Sequence, residues 1–221
     1  MVWFAASLTR QGLLVDVTED GADSVTVTYR YRFSISEEAG VTVAYTVRAD
    51  GSIRVSARYK GAAGLPKLPI FALSFKVPAD YDQLDWYALG PEENYVDRAN
   101  GARLCEFGGK AADQVAGYVM PQESGNRTGV RRVSVTDAMG RGIRIKADGE
   151  PVECGISPYT AFELESAQHV YELPPVHYTV VTVAGRQMGV GGDDSWGAPV
   201  HEEFTIPGDR DLSFSFVIEK V

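Results

Sequence analysis

The sequence predicts an all-β protein built from large antiparallel sheets, and three observations carry this prediction. Most regular segments alternate apolar and polar residues with a period of two, as half-buried strands do. Asp-Gly pairs, which favour tight turns, stand between several of these segments. No helical pattern of about 10–15 residues lies between them, although a parallel sheet with crossover helices would require one. A sandwich of antiparallel sheets is therefore expected.

Six segments show the alternation clearly. They are residues 24–33, 41–48, 53–60, 143–147, 177–183 and 212–221. In the last of them, Leu212, Phe214, Phe216 and Ile218 fall on one side of the strand. We expect that side to belong to the core.

The Asp-Gly pairs mark the expected connections between strands. They occur at Asp20-Gly21, Asp50-Gly51 and Asp148-Gly149. Since both central residues of a type I′ hairpin turn have positive φ, Asp-Gly is a favoured pair at such turns. The three pairs predict type I′ turns and antiparallel neighbours.

Two segments do not alternate. Thr160, followed three residues later by Glu163, forms the pattern of a capping box and predicts one short helix over residues 161–168. Residues 90–129 are polar, rich in glycine and weakly periodic, which predicts a long loop. A loop of this length in a compact domain is usually functional or packed against another part of the protein.

Composition limits the classes of function. The 221 residues are enough for a single domain over residues 1–221. The net charge of -9 disfavours nucleic-acid binding. No apolar run is long enough to span a membrane, so we expect no membrane partner. The N-terminal residues lack the pattern of a signal peptide, and the two cysteines, Cys105 and Cys154, are expected to be free thiols. A cytoplasmic location is therefore expected.

No catalytic or metal-binding set is recognisable by spacing. The carboxylate pairs Glu92-Glu93 and Asp193-Asp194 are sequence neighbours, which point to opposite sides in extended backbone. Glycosidases instead need two carboxylates facing each other across roughly 5 to 9.5 Å. The three histidines, none spaced for zinc, are His169, His177 and His201. We therefore expect no catalytic residue and no metal site in this chain.

The segment 188–200, MGVGGDDSWGAPV, is the strongest candidate for a binding site. Trp196 could present the flat face of its indole to the C–H face of a sugar. Asp193 and Asp194 would fix the loop or bond sugar hydroxyls, and Gly191, Gly192 and Ser195 would support its backbone. The alternative is a tryptophan that folds back over its own hairpin.

Four stretches together carry a family resemblance. They are YALGPEENYVDR (87–98), YVMPQESGNRTGVR (118–131), ISPYTAFELESAQHVYEL (156–173) and MGVGGDDSWG (188–197). In order and spacing they resemble the C-terminal domain of the bacterial β-galactosidases of glycoside hydrolase family 2. In some members of that family this domain is a separate small chain. The first eighty residues carry little of the resemblance.

The resemblance implies a galactose mutarotase-like β-supersandwich, in which Trp196 matches a tryptophan that helps to hold the substrate. It also implies a partner, the catalytic barrel or large chain, that carries the two catalytic glutamates and binds magnesium and sodium. The substrate would be a β-galactoside such as lactose, and the complete enzyme a homo-oligomer. The family domain begins with further strands before the region similar to Val2 to Phe33, so we expect an N-terminally trimmed domain with a sheet edge unpaired or covered by a neighbouring chain.

Two alternatives remain at this point. The chain could be a freestanding carbohydrate-binding module, or an enzyme similar to aldose mutarotases. The second rests on the implied fold alone, and a fold does not determine a function.

Overall fold

The computed structural model describes residues 2–194 and 196–221, and their regular secondary structure is mainly β-strand. Two short helices are present in them, α1 (Val2–Leu8) and α2 (Ala161–Ser166). No helix in the described ranges is long and apolar enough to cross a membrane. The strands are β1 (Gln11–Glu19), β2 (Ser24–Phe33), β3 (Ser36–Arg48), β4 (Ile53–Lys60), β5 (Ile70–Pro78), β6 (Gln83–Gly90), β7 (Arg103–Lys110), β8 (Asn126–Val130), β9 (Arg132–Thr136), β10 (Gly142–Ala147), β11 (Val152–Ser157), β12 (Tyr178–Gln187) and β13 (Leu212–Lys220).

The strands form two sheets of unequal size. One has nine strands in the order β1-β2-β3-β4-β13-β10-β9-β6-β7, and the other has four in the order β5-β12-β11-β8. Every neighbouring pair within a sheet is antiparallel. The prediction of an all-β protein with large antiparallel sheets is confirmed.

The hydrophobic core lies between the sheets. We call the side of the nine-stranded sheet that carries the core its inner face. Phe216 of β13 lies on this face and is buried, opposite Val55 of β4. Leu212, Phe214 and Ile218 share the face and pack against the core, as the alternation in β13 predicts. Val181 and Val183 of β12 complete the core from the smaller sheet.

The predicted helix is present and is fixed by its cap. Thr160 accepts a hydrogen bond on its side chain from the backbone N–H of Glu163, and the Glu163 side chain accepts one from the backbone N–H of Thr160. These reciprocal bonds satisfy donors that the first turn leaves free. Helix α2 ends at Ser166, two residues before the predicted end.

The Asp-Gly turns differ from the prediction in two respects. Gly21, Gly51 and Gly149 have positive φ, but no described residue other than glycine does, so these are not type I′ turns. At the first two pairs the neighbouring strands are hairpins, as predicted. The third pair, Asp148-Gly149, joins β10 to β11 and so passes from one sheet to the other. The four-residue connections supply the bend, so only the glycine needs a positive φ.

The prediction of a loop over residues 90–129 is wrong. Strand β7, the 3₁₀ turn Ala111–Gln114 and the start of β8 lie in it. Strand β7 is the edge strand beyond β6 and five of its eight residues are exposed, so its sequence needs no regular alternation.

Helix α1 is a second correction, since one helix is predicted and two are present. Its seven residues are too few to be stable alone. Trp3 anchors it, donating its indole N–H to the backbone oxygen of Lys67 at 2.9 Å. The Trp3 ring also packs edge-on against Phe33 and Tyr59, with centroids 6.1 Å apart in each pair. Tertiary contacts therefore stabilise this helix.

Both cysteines are free thiols, as predicted. Cys154 on β11 is fully buried in the core, and burial raises the pKa of its thiol to about 12. A thiol of this kind stays protonated at neutral pH and behaves as a small apolar side chain.

Candidate functional site

We call residues 188–200, which follow β12, the Trp loop. Its start is tied to the rest of the domain by backbone hydrogen bonds. The N–H of Met188 donates to the oxygen of Pro69, and the N–H of Gly189 donates to the oxygen of Phe204, each at 2.9 Å. The loop therefore leaves the sheet in a defined direction.

Trp196 projects from this loop and is 91% exposed. It does not fold back over its own hairpin, which was the alternative to a binding role. Burying a large apolar side chain contributes about 1.5–3 kcal/mol, and Trp196 gains little of this in the isolated chain. An exposed indole on an anchored loop is suited to contact a ligand or a partner.

Asp194 shapes the backbone on both sides of the indole. Its Oδ1 accepts hydrogen bonds from the N–H groups of Trp196 at 2.8 Å and Ala198 at 3.2 Å. Gly197, between them, has a φ of +99°, a conformation that side chains disfavour. Ser195, a predicted support residue, lies outside the described residues.

Asp193 makes a different contact, with a histidine that closes the loop. His201 Nε2 lies 2.7 Å from Asp193 Oδ1, and both side chains are exposed. The hydrogen bond and the charge of Asp193 raise the pKa of His201, and the charge of Glu203 adds to the effect.

The pKa of His201 should therefore fall when Asp193 is replaced by asparagine. Because the pKa of His201 is raised in the folded state, the stability that the pair contributes is fully present below the ordinary histidine pKa of 6.5. This stability is lost as the pH rises through the raised pKa. The measurement is an NMR titration of the His201 ring in the wild type and in Asp193→Asn, with His177 as internal reference. Identical His201 titration curves in the two proteins would contradict the pairing.

Asp97, from the segment between β6 and β7, holds the Trp loop from outside. Its Oδ2 accepts a hydrogen bond from the N–H of Gly191 at 2.8 Å. Its Oδ1 is buried and has no hydrogen-bond partner among the described residues. Sequence reasoning missed Asp97, because 94 residues separate it from Gly191 and no local pattern marks it.

Close approach explains two glycines of the loop. A Cβ on Gly189 would lie 2.6 Å from Asp97 Oδ2, and one on Gly192 would lie 2.2 Å from the oxygen of Ala198. A Cβ on Gly191 would be at an ordinary 3.6 Å from Asp97. Gly192 and the unpredicted Gly189 are therefore required sterically, whereas Gly191 contributes its N–H.

A chain of polar contacts connects the base of the loop to the segments around it. Asn126 donates through its Nδ2 to the backbone oxygen of Asn94 at 3.2 Å and to Glu153 Oε2 at 2.8 Å. Glu153 Oε1 in turn accepts from the N–H of Gln187, the last residue of β12, at 3.1 Å. Burial raises the pKa of Glu153. Sequence reasoning missed this network, which joins residues of four separate stretches.

The predicted carboxylate pairs have structural contacts. Glu93 accepts hydrogen bonds from the N–H of Gly125 at 2.7 Å and from the hydroxyl of Tyr118 at 2.9 Å. It also forms an ion pair with Arg98. Glu92 beside it is exposed. Glu93 and Asp194 therefore support local backbone, whereas Asp193 bonds the side chain of His201.

The other histidines and the cavities lie apart from the Trp loop. His169 pairs with Glu172 through Nδ1 at 3.2 Å. The described residues include no cluster of three or more His, Cys, Asp or Glu that could bind a metal ion. A concavity of about 990 Å³ is lined by residues of β1–β4 and the turns around them, and by no residue of the Trp loop.

Comparison with known proteins identifies a family. The family model described as the β-galactosidase small chain matches residues 1–218. A β-galactosidase of Halalkalibacterium halodurans is 60% identical over 223 residues, which cover 100% of this chain and 22% of that protein. A β-galactosidase of Streptococcus thermophilus is 40% identical over 197 residues, 89% of this chain and 19% of the relative. This chain thus spans about a fifth of the length of these relatives.

A shorter relative is the β-galactosidase small subunit of Latilactobacillus sakei. It is 37% identical over 207 residues, which cover 89% of this chain and 64% of the subunit. The relatives therefore include both long single proteins and a separate subunit.

Solved structures with a similar backbone are much more distant in sequence. A putative aldose 1-epimerase of Escherichia coli K12 has a TM-score of 0.43 and 11% identity, with 93% of this chain and 68% of that chain covered. A galactose mutarotase related enzyme of Lactobacillus acidophilus has a TM-score of 0.30 and 11% identity, with 93% and 70% covered. TM-scores this low do not identify a function.

The family match extends over nearly the whole chain and includes the Trp loop and the segments that hold it. This chain therefore belongs to the β-galactosidase small chain family.

Proposed function

We propose that this chain forms one wall of the galactoside-binding site of a β-galactosidase and that the reacting carboxylates belong to the rest of that enzyme. The observation that carries the proposal is the indole of Trp196, 91% exposed on a loop held by Asp194 and Asp97. The names of the relatives support the substrate class, since each is a β-galactosidase or its subunit.

The role of Trp196 is positioning. Its apolar face would pack on the C–H face of the galactose ring and keep water from that side of the sugar. The anchored loop would hold the indole in place before the substrate arrives, so little ordering is needed on binding. Asp193 and His201, at the rim of the loop, are polar groups within the same exposed surface.

The hydrolytic step requires two carboxylates flanking the glycosidic bond, about 5–5.5 Å apart in a retaining enzyme. We assign both to the part of the relatives that this chain does not match, together with the magnesium and sodium sites implied by the family resemblance. Asp194 and Glu93 bind local backbone and are not assigned a step in the reaction.

The test is a reconstituted enzyme. The chain is combined with the part of the H. halodurans β-galactosidase that it does not match, and hydrolysis of a chromogenic β-galactoside is measured. Replacing Trp196 by leucine should lower kcat/KM by about tenfold or more, since the sugar loses an aromatic contact and its orientation.

The matched control is Tyr171→Leu, which changes an exposed aromatic residue outside the Trp loop and should leave kcat/KM unchanged. Size-exclusion chromatography confirms that each variant assembles. Equal kinetics for wild type and an assembled Trp196→Leu enzyme would count against the proposal. Saturable binding of lactose by the isolated chain would instead favour a freestanding carbohydrate-binding module, because a single wall offers few contacts.

A further inference from the structure

The concavity formed by β1–β4 includes part of the side of the nine-stranded sheet that faces away from the core, which we call the outer face. Along β3 it is lined by Gly40, which has no side chain, and by Thr42, which has a short one. On the two flanking strands it is lined by four cationic residues, Arg30 and Arg32 on β2 and Arg58 and Lys60 on β4. All four are exposed. We call this region the cationic groove.

The strand register places the four cations opposite one another across β3. The two cross-strand rows are Arg30, Thr42 and Arg58, and Arg32, Gly40 and Lys60. Neighbouring strands lie about 4.8 Å apart, so the backbones of β2 and β4 are about 10 Å apart. Long, flexible cationic side chains on both sides can therefore contact one ligand that lies over β3.

The four cations differ from others on the outer face because they have no carboxylate partner. Three cations elsewhere on this face form ion pairs, Arg54 with Asp148, Lys146 with Glu219 and Arg132 with Asp85. None of the four cations of the groove forms an ion pair with a described residue. Charged side chains that protect a sheet from pairing lie on edge strands, whereas β2 and β4 are interior strands. Neither ion pairing nor edge protection therefore explains the cluster.

Three carboxylates line one end of the groove. Glu37 and Glu38 precede Gly40 on β3, and Asp211 precedes β13 at the same end. One oxygen of Asp211 accepts a hydrogen bond from the N–H of Gly61 at 3.0 Å. Ionised carboxylates accept several hydrogen bonds each, so this end of the groove can bind hydroxyl groups.

Arg30 and Arg58 are the opposed cations farther from these carboxylates, which makes them the pair suited to an anionic group. A guanidinium can donate two parallel hydrogen bonds to a phosphate or a carboxylate. The volume of about 990 Å³ is at the upper end of the range for small-molecule sites and far exceeds that of a bare anion. The groove thus has room for a polyhydroxylated body attached to the anionic group.

We propose that the cationic groove binds an anionic saccharide, a sugar that carries a phosphate or a carboxylate group. The anionic group lies between Arg30 and Arg58, and the sugar hydroxyls lie toward Glu38 and Asp211. The groove includes no described residue of the Trp loop, so this site is separate from the proposed galactoside site and does not depend on it. A nucleic acid fits less well, because the chain as a whole has a net charge of -9.

The test is isothermal titration calorimetry of the chain with four probes: galactose 6-phosphate, galacturonate, inorganic phosphate and galactose. We expect saturable binding of one or both anionic sugars, and the tighter of the two identifies the anionic group. Inorganic phosphate and galactose should bind at least about tenfold more weakly, since each lacks part of the contacts. The proposal is overturned if neither anionic sugar binds, or if inorganic phosphate or galactose binds as tightly as they do.

Two arginines of β4 supply a variant and its matched control. Arg58→Gln removes a cation from the groove, whereas Arg54→Gln removes one from the same strand and face outside the concavity. Because Arg58 is exposed, its variant should fold with unchanged circular dichroism and thermal midpoint. We expect Arg58→Gln to weaken binding of the anionic sugar by about tenfold or more and Arg54→Gln to leave it unchanged. Equal effects of the two substitutions would contradict the assignment to the groove.

Trp196→Leu separates this proposal from the proposed function. The variant should bind the anionic sugar as the wild type does. Binding that is lost in Trp196→Leu but kept in Arg58→Gln would assign the sugar to the Trp loop and overturn the groove. If Arg58→Gln loses binding while an assembled Trp196→Leu enzyme has wild-type kinetics, the groove stands and the role of Trp196 is wrong.

Discussion

Replacing Trp86 by alanine is expected to lower the free energy of unfolding by about 3–5 kcal/mol, the range for truncation of a large buried aromatic residue. Trp86 is fully buried. Its ring stacks on Phe107 with centroids 6.0 Å apart, and the guanidinium of Arg127 lies 5.9 Å from its centroid. Alanine would leave a cavity that the flanking strands can fill only in part. Urea unfolding followed by circular dichroism measures the loss.

A phenylalanine at the same position separates packing from hydrogen bonding. The indole Nε1 of Trp86 is buried and has no hydrogen-bond partner among the described residues. Trp86→Phe should therefore lose packing volume but no hydrogen bond, and its free energy of unfolding should fall clearly less than that of Trp86→Ala. A phenylalanine variant as unstable as the alanine variant would show that the N–H group has a stabilising role.

Arg127→Ala is expected to cost about 3 kcal/mol or more of stability, because several buried acceptors would lose their donor. Arg127 is only 5% exposed. It donates to the backbone oxygens of Pro91 and Gly125, each at 3.0 Å, and to Gln114 Oε1 at 2.9 Å. Each buried acceptor left unsatisfied costs about 1–3 kcal/mol. The measurement is again urea unfolding.

The matched control is Arg131→Ala in the same stretch of sequence. Arg131 is exposed and donates to the oxygen of Gly129 at 2.7 Å. Its removal should change stability by no more than about 0.5 kcal/mol. Similar losses in the two variants would mean that Arg127 contributes through charge alone rather than through its buried hydrogen bonds.

Period-two alternation predicted six of the thirteen described strands, because their side chains face a core on one side and water on the other. Strand β13 shows this most clearly, with Phe216 buried and Ser213 exposed. The helix α2 was predictable for a similar reason, since its cap depends on Thr160 and Glu163, only three residues apart. Signals of this kind act within a few residues, so they can be read directly from the chain.

The errors lie where a local pattern was weak or where distant contacts determined the structure. Strand β7 is at a sheet edge and carries Gly108 and Gly109, so its alternation is incomplete. Helix α1 depends on contacts between Trp3 and residues more than sixty positions away. The glycine turns were placed correctly, but connection length, rather than the Asp-Gly pair, sets their geometry.

The sequence by itself determined an antiparallel β protein, a capped helix and a loop containing Trp196, because each depends on residues close together in the chain. Tertiary structure decided the unequal sheets and the anchoring of the Trp loop by Asp97. The physical reason is that burial and hydrogen bonding depend on which strands become neighbours. Neither Asp97 nor Gly191 carries any local mark of a partner 94 residues away.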